Sequence, residues 1–402
     1  MKNKKGLLYS VLSISLLTVM AGAAMAPALG VIRDNFSDWD AMTIQLIVSL
    51  PALFIIATSL CFRSVSKHFK TKTIALTGLV IYVVSGAGAY MVDSMYVLLV
   101  LRALLGVGVG LIMPLSTGLL TYYFPPEEQS RLMGLSAAMN QMGGVLATML
   151  AGVLASIKWN YAFLVYLAGL VAIVLVVLFL PNDSLVDGTS TKKDVQHGNA
   201  RLMKRIERRK FLRSLVRFHP SITSMFLIMV LFFVYPTNFA LTARSHGMDT
   251  LAITLIMVSL DVVAFVIGLI FAIMMKHFMK AMKFFPPVLF FLGYLCLALG
   301  DTVGSMILGS LLIGIANGVG VPYVNTIAGI KGGKDAATTV MPLISASLYL
   351  GQFLSPLIVN PLSTLFDSGG ASYWVASIIA LIYLLQTFLT RKHHALPPIS
   401  KQ

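Results

Sequence analysis

Long apolar stretches separated by short polar segments run along almost the whole chain. A helix needs about 20 predominantly apolar residues to cross a bilayer core of roughly 30 Å. Twelve stretches reach this length. They cover residues 7–32, 41–62, 73–92, 95–123, 132–157, 160–181, 219–243, 250–275, 284–300, 303–330, 336–361 and 370–390. The pattern therefore predicts an all-α integral membrane protein with twelve transmembrane helices.

The composition supports lipid as the main solvent. Of the 402 residues, 57% are hydrophobic and only 11% are charged. A water-soluble domain cannot hide so much apolar surface, because surface-to-volume scaling forces many polar residues outward. The first stretch, which follows MKNKK, also resembles a cleaved secretory signal. It continues to about 27 residues, longer than a usual signal core, and its removal would leave an odd number of helices.

The net charge of +15 would suggest nucleic-acid binding in a soluble protein, so the positions of the basic residues decide its meaning. The chain has 30 Lys and Arg residues. If the amino terminus is cytoplasmic, the outer loops contain only Arg33, Lys158 and Arg244, and Arg102 lies inside a helix. The other 26 then lie on the cytoplasmic side, as the positive-inside rule requires. The charge thus predicts a multi-pass protein of the cell membrane with both termini cytoplasmic and no nucleic-acid partner.

Two sequence matches at one half-chain offset indicate an internal duplication. LRALLGVGVGLIMP in the fourth stretch aligns with GSLLIGIANGVGVP in the tenth at an offset of 208 residues. KHF at 67–69 recurs at 276–278, an offset of 209, after the second and the eighth stretch. A duplicated six-helix unit follows. We predict two pseudo-symmetric bundles, 1–181 and 219–402, joined by a basic cytoplasmic linker at 182–218.

The linker contains RLMKRIERRKFLRSLVRF, in which apolar residues recur at near-helical spacing among Arg and Lys. The apolar positions are Leu202, Ile206, Leu212 and Val216. This pattern suits a helix on an anionic inner leaflet, so such a bilayer is a predicted partner. The simpler interpretation is a solvated linker helix.

Transporters built from repeats hold their substrate near the bilayer midplane, between halves that rock against each other. Small residues let helices approach closely and slide. The candidate gating or packing glycines are Gly106, Gly110, Gly143, Gly144, Gly314 and Gly318. Plain helix packing explains any one of them equally well.

The chain resembles the major facilitator superfamily over nearly its whole length. The first helix ends in APALGVIRDNF, LVLRALLGVGVG is similar to the fourth-helix motif with its buried arginine, and KWNYAFLVY resembles the opening of the sixth helix. The fifth helix has the spacing of the antiporter motif, with Ala147-Thr148 where the family has Gly-Pro. The loop after the second helix is basic but lacks the family motif's aspartate and glycines. The resemblance implies the fold of the drug:proton antiporter branch.

Two charged residues lie well inside the predicted helices, Arg102 and Asp261. A charge at the bilayer centre costs about 3 kcal/mol, so each should face protein or a water-filled cavity. For Arg102 the resemblance implies coupling or gating, and a structural bridge to backbone carbonyls or polar neighbours is the alternative. For Asp261, burial disfavours the ionised form and an approaching cation favours it, as proton or cation exchange requires. A hydrogen-bonded structural carboxyl is the alternative there.

Other polar side chains fall in helices that could line a transport path. These cavity candidates are Gln45, Asn140, Gln141, Tyr235, Asn238, Asn317, Tyr323, Asn325, Tyr349 and Gln352. Any one of them can equally serve as a hydrogen-bonding contact between helices.

The sequence has no HExxH, GxSxG or Walker motif and no Cys or His cluster with metal spacing, so no enzyme, metal or cofactor is predicted. The leading hypothesis is a monomeric, proton-coupled exporter of small amphipathic or cationic molecules, with protons and the substrate as partners. A proton-coupled importer of a small organic solute on the same fold is the second. A non-transporting membrane sensor is the third.

Overall fold

A computed structural model describes residues 4–182, 200–278, 281–300, 302–332, 340–366 and 370–390. Within these ranges all regular secondary structure is helical, and there is no strand. The helices are α1 (Lys4–Ala23), α2 (Leu29–Asn35), α3 (Ala41–His68), α4 (Thr71–Gly88), α5 (Met95–Tyr123), α6 (Pro126–Ile157), α7 (Gly169–Phe179), α8 (Ala200–Ser245), α9 (Thr250–Phe278), α10 (Phe285–Leu299), α11 (Val303–Gly332), α12 (Met341–Ser363) and α13 (Ala371–Leu389). Short 3₁₀ segments cover Ala89–Met91, Trp159–Ala168 and Met282–Phe284.

Twelve helical segments of the described chain are long and apolar enough to cross a membrane. This confirms the predicted number. In the first half they are α1, α3, α4, α5, α6 and the 3₁₀ segment Trp159–Ala168 with α7. In the second half they are α8 to α13, with the 3₁₀ segment Met282–Phe284 extending α10.

The first predicted helix differs from the expectation, since it is not continuous over 7–32. It ends at Ala23, and a turn leads into α2 at Leu29. Pro27 lies in this turn and has no N–H to donate to a helical hydrogen bond. The N–H groups of Ala26 and Ala28 instead bond carbonyls only three residues back. The break lets α2 turn against the second half of the molecule.

The predicted linker falls partly outside the described residues, which omit 183–199. From Ala200 the backbone is helical, and it continues without a break into the seventh span, which begins at Leu215. The side chains of Leu202, Ile206 and Leu212 lie outside the described part of the structure.

The internal repeat is visible in how equivalent helix pairs cross. In each half, two glycines of one helix lie against carbonyl oxygens of another, α5 against α3 and α11 against α9. The contacts are Gly106 on Pro51, Gly110 on Ile55, Gly314 on Leu260 and Gly318 on Ala264. A Cβ added at these glycines would lie 2.4, 3.0, 2.7 and 2.7 Å from the carbonyl oxygen, in the same order. The glycines differ by 208 residues and their partners by 209, so the two halves have the same internal packing.

We call the end of the bundle at which α1 begins and α13 ends the terminal end, and the opposite one the distal end. The halves pack together along two antiparallel helix pairs, α3 with α12 and α6 with α9, and α2 and α3 also contact α8. A site between the halves therefore lies among α1, α3, α6, α8, α9 and α12.

Candidate functional site

The halves are joined near the distal end by three amide side chains, which we call the distal amide bridge. Gln45 of α3 donates through Nε2 to Oδ1 of Asn238 on α8 at 2.9 Å. Its Oε1 accepts from Nδ2 of Asn360 on α12 at 2.8 Å. Gln45 is 1% exposed and Asn238 6%. One buried side chain of the first half thus holds two helices of the second.

An ion pair lies beside this bridge at the distal surface. Nε of Arg244 on α8 is 3.0 Å from Oδ2 of Asp34 on α2, and the side chains are 39% and 55% exposed. Next to it, a Cβ added to Gly30 would lie 3.0 Å from the carbonyl oxygen of Ala240. The distal ends of α2 and α8 are therefore in close contact, and the bundle is closed at its distal end.

The seam between α6 and α9 changes along its length. Near the distal end, the backbone of Gly152 lies directly against the side chain of Thr254. Closer to the middle, Thr148 is hydrogen-bonded to Asp261. A further two turns toward the terminal end, Gln141 is exposed. Gly268, which the antiparallel register puts opposite Gln141, has nothing within 4 Å of its Cβ position. The seam is therefore closed at the distal side and parted toward the terminal end.

Asp261 lies where this seam begins to part. Its Oδ2 accepts a hydrogen bond from Oγ1 of Thr148 at 2.7 Å, across the boundary between the halves. The side chain is half-buried. The one salt bridge between described residues joins Arg244 and Asp34, so Asp261 has no cationic partner among them. A carboxyl in this position can exchange protons with water or attract a cation without first breaking an ion pair.

Arg102 is enclosed within the first half. Its side chain has no exposed surface and is the largest of the fully buried ones. Nη1 donates to the hydroxyl of Tyr166 at 2.8 Å, and that hydroxyl donates to the carbonyl oxygen of Ala21 at 3.1 Å. The guanidinium carbon lies 5.1 Å from the ring centre of Phe163 and 4.8 Å from that of Tyr166, which gives two cation–π contacts.

Two nitrogens of Arg102, Nε and Nη2, have no hydrogen-bond partner in the structure. Leaving such donors unpaired in a buried site costs about 1–3 kcal/mol each. Of the alternative structural bridge, the bond to a polar neighbour is direct, to Tyr166, and the connection to a backbone carbonyl, that of Ala21, passes through the Tyr166 hydroxyl. At the equivalent position of the second half, 208 residues on, stands Ser310, whose hydroxyl bonds that of Tyr235 at 2.7 Å.

The cavity candidates divide into several groups by location. Gln45 and Asn238 belong to the distal amide bridge. Tyr235 is buried in the second half, where its ring stacks on that of Phe239 at 4.6 Å. Asn140 accepts a 2.9 Å hydrogen bond from Thr18, within the first half. These four side chains contact other helices in the way the simpler interpretation expects.

The other candidates differ in their surroundings. Nε2 of Gln352 on α12 would be 3.3 Å from a Cβ at Gly22 of α1. The hydroxyl of Tyr349 lies 3.1 Å from the sulfur of Met113, across the two halves. Asn317 is half-buried and its Oδ1 has no hydrogen-bond partner. Gln141 is exposed on α6, Asn325 is half-buried and Tyr323 is buried, both on α11.

All six candidate glycines lie at close helix crossings. Besides the four in the repeated pairs, Gly143 approaches α1 so closely that a Cβ would lie 2.1 Å from the carbonyl oxygen of Leu16. At Gly144 the nearest atom would be a methyl of Val19, 3.2 Å away. These contacts support the packing interpretation, and a role in gating stays a prediction.

Sequence reasoning missed three participants in the contacts between the halves. Asn360 is an amide inside the eleventh apolar stretch, so the same search for polar residues in spans could have found it. Asp34 and Arg244 fall outside the predicted spans, on the same side of the membrane, and have opposite charges, but no local pattern indicates that they pair. Thr148 was noted in the sequence only because it replaces the proline of the antiporter motif.

A family model described as Major Facilitator Superfamily matches residues 11–356 of this chain. Multidrug resistance protein 3 of Bacillus subtilis is 24% identical over 149 residues, which is 37% of this chain and 29% of that protein. The uncharacterized transporter YebQ of Escherichia coli is 27% identical over 173 residues, or 42% of this chain and 37% of that protein. Each match thus spans less than half of the relative's length.

Solved structures show the same fold at low sequence identity. A bacterial homologue of the human lysosomal transporter Spinster, in an inward-facing and unoccupied conformation, superposes with a TM-score of 0.76 at 15% identity. The superposition covers 98% of this chain and all of the other.

Proposed function

This chain belongs to the major facilitator superfamily and is a secondary transporter, and we propose that it exports small amphipathic or cationic compounds in exchange for protons. Asp261 is the coupling carboxyl in this proposal. The halves alternate access to a site between them, closing the distal end in one state and the terminal end in the other.

The observation that carries the proposal is the position of Asp261. It is the acidic residue deep inside a span, it lies at the seam between the halves, and it has no cationic partner among the described residues. Ionised carboxyls inside membranes are costly and are retained where they serve an ion or substrate path. A carboxyl at the moving boundary changes its surroundings in every transport cycle, which is what coupling requires.

The charges of the site favour a cationic substrate. Arg102 has no exposed surface and is enclosed by two aromatic rings, whereas Asp261 is half-buried at the seam. The charge that an entering molecule meets at the seam is therefore negative. The chain's 22 methionines also suit a pocket that adapts to varied apolar groups. The similarity to a Bacillus multidrug resistance protein agrees with this substrate class.

Exchange follows if the proton and the cation use the same carboxyl. A bound cation favours the ionised form of Asp261 and displaces its proton, while protonation removes the attraction for the cation. The two ligands then bind alternately, which is antiport. Arg102 is proposed to support this cycle by linking α5 through Tyr166 to Ala21 of α1, close to the break between α1 and α2.

We propose that the protein lies in the cell membrane with its terminal end facing the cytoplasm. With this orientation 26 of the 30 Lys and Arg residues lie on the cytoplasmic side, near anionic lipids. The cell interior is then the side from which compounds enter the parted seam between α6 and α9.

The test uses the purified protein in proteoliposomes with an imposed pH gradient and tetraphenylphosphonium as the amphipathic cation. The native protein should move the cation against the proton flow. Asp261→Asn keeps the size of the side chain and removes its titration, so gradient-driven flux should fall at least about tenfold. Asp249→Asn, an exposed aspartate in the loop before α9, is the matched control and should transport normally.

Three results would contradict the proposal. Full gradient-driven flux by Asp261→Asn would show that this carboxyl has a structural role only. Cation movement in the same direction as the protons would replace export with the importer hypothesis. A preparation of native protein that moves neither cations nor organic solutes would favour the membrane sensor.

A further inference from the structure

Thr148 occupies the position at which the antiporter motif of the major facilitator superfamily has proline. Its side chain is 2% exposed and points from α6 toward α9. The hydroxyl lies 2.7 Å from Oδ2 of Asp261 and 3.1 Å from the carbonyl oxygen of Gly144 in its own helix. A proline could make neither bond, so the residue substituted here adds a polar contact between the two halves.

The hydrogen atoms available at this contact depend on the charge of Asp261. A threonine hydroxyl has one hydrogen to donate and can also accept. When Asp261 is ionised, the carboxylate and the Gly144 carbonyl compete for that hydrogen, and when the carboxylate takes it the carbonyl keeps only its ordinary helical hydrogen bond. When Asp261 is protonated, its O–H donates to Oγ1 of Thr148, and Thr148 donates to Gly144. The protonated form therefore satisfies all three groups with the distances found here.

The chain of hydrogen bonds exists only while α6 and α9 are together. Asp261 and Gly144 belong to different halves, and Thr254 packs on Gly152 one step nearer the distal end. Opening the distal end parts this seam and separates Thr148 from Asp261. Proton binding and distal closure are then linked, and each must favour the other.

No fixed charge among the described side chains competes for this proton. Tyr235 of α8 interacts electrostatically with Asp261, and its hydroxyl is bonded to Ser310. Apart from Tyr323, which lies nine residues before the end of α11, the remaining titratable groups on or beside the elements packed against α9, and on α9 itself, lie toward the helix ends. They are Glu128, Arg131 and Lys158 on or beside α6, Arg217, His219, Arg244 and His246 on or beside α8, Lys331 on α11, Lys283 before α10, and Asp249, Lys276 and His277 on or beside α9.

From this geometry we infer that Thr148 is a positioning residue that makes proton uptake by Asp261 close the distal end. The carboxylate takes one proton from water, and no other covalent bond changes. This rests on the proposed function of Asp261 as the coupling carboxyl. It deepens that function, because a transporter that closes its distal end with a proton alone completes the return step of an antiporter. A symporter would need its substrate bound as well.

The test measures distal closure as a function of pH without substrate. Spin labels are attached to cysteines at Ser37 and Asp249, exposed residues of the two halves at the distal end, after Cys61 and Cys296 are replaced by alanine. In the native protein and in Thr148→Ser, the ratio of closed to open molecules should rise about tenfold between about pH 8 and pH 5. In Thr148→Val, which keeps the shape and removes the hydroxyl, it should change less than about twofold.

Thr254→Val is the matched control. It removes a hydroxyl from the same seam, but that hydroxyl donates to Thr250 of its own helix. Its pH response should be native. If Thr148→Val does not insert, Thr148→Ala removes the same hydroxyl and must show the same loss.

The outcomes separate this inference from the proposed function. A native pH response in Thr148→Val or Thr148→Ala, together with failed transport by Asp261→Asn, would overturn the role of Thr148 alone. A native pH response in Asp261→Asn would overturn both. Loss of the pH response in both Thr148→Val and Thr254→Val would show that distal closure depends on packing at the seam and not on the hydrogen bond to protonated Asp261. This result would also refute the inference.

Discussion

The contribution of the distal amide bridge to closure of the distal end can be measured directly by mutation. Replacing Gln45 by leucine keeps the side chain similar in size, makes it apolar and removes both hydrogen bonds. Oδ1 of Asn238 and Nδ2 of Asn360 then lose their partners in the closed state, whereas water can satisfy them when the end opens. At about 1 kcal/mol net for each bond, closure should weaken by about 2 kcal/mol, or about 30-fold in the ratio of closed to open molecules.

The neighbouring ion pair gives the comparison. Asp34→Asn removes a contact whose side chains are 39% and 55% exposed, so solvent screens it and about 0.5 kcal/mol, or about twofold, is expected. Both variants are examined with spin labels at Ser37 and Asp249, at one fixed pH and at moderate and high salt. High salt should reduce only the effect of Asp34→Asn. A shift for Asp34→Asn as large as that for Gln45→Leu would refute the reasoning that burial decides the strength of these contacts.

Two further predictions concern the buried arginine and the orientation. Arg102→Lys should insert normally yet transport at least about tenfold more slowly, because lysine cannot bond Tyr166 while its charge lies over two rings; native flux with tetraphenylphosphonium would leave Arg102 with packing alone. A single cysteine at Asp38 should react with a membrane-impermeant reagent from outside intact cells, and one at Ser190 only after lysis, since reversal would put 26 basic residues outside. Labelling of the Ser190 cysteine in intact cells would contradict the orientation.

The number of spans and the duplication were predictable because both depend on patterns that persist along the chain. Apolar stretches must be about 20 residues long in any bilayer. The glycine spacing in α5 and α11 reflects contacts that only glycine permits, as Gly106 on Pro51 and Gly314 on Leu260 illustrate. The break after Ala23 was missed because alanine and proline are apolar enough to extend a hydropathy run, although Pro27 interrupts the hydrogen bonding.

The site was only partly predictable, because contacts between the halves depend on which turns of two distant helices meet. Arg102 and Asp261 stood out, since a charge inside an apolar run needs an explanation wherever it points. Nothing in the sequence pairs Gln45 with Asn360, 315 residues away, or Thr148 with Asp261. These partners become visible only when the antiparallel pairs α3–α12 and α6–α9 are set side by side.

The duplicated halves differ most where coupling is proposed. The repeat offset puts Ser310 opposite Arg102 and Ala52 opposite Asp261, so each half has one interior charge where its counterpart has a small neutral residue. The packing glycines around both sites are shared, so the helices cross in the same way in the two halves although the interior charges differ. The buried cation is enclosed in one half and the carboxyl lies at the seam. In the proposed cycle a proton therefore acts on the contact between the halves from one side only, and a single titration at Asp261 is enough to bias their rocking.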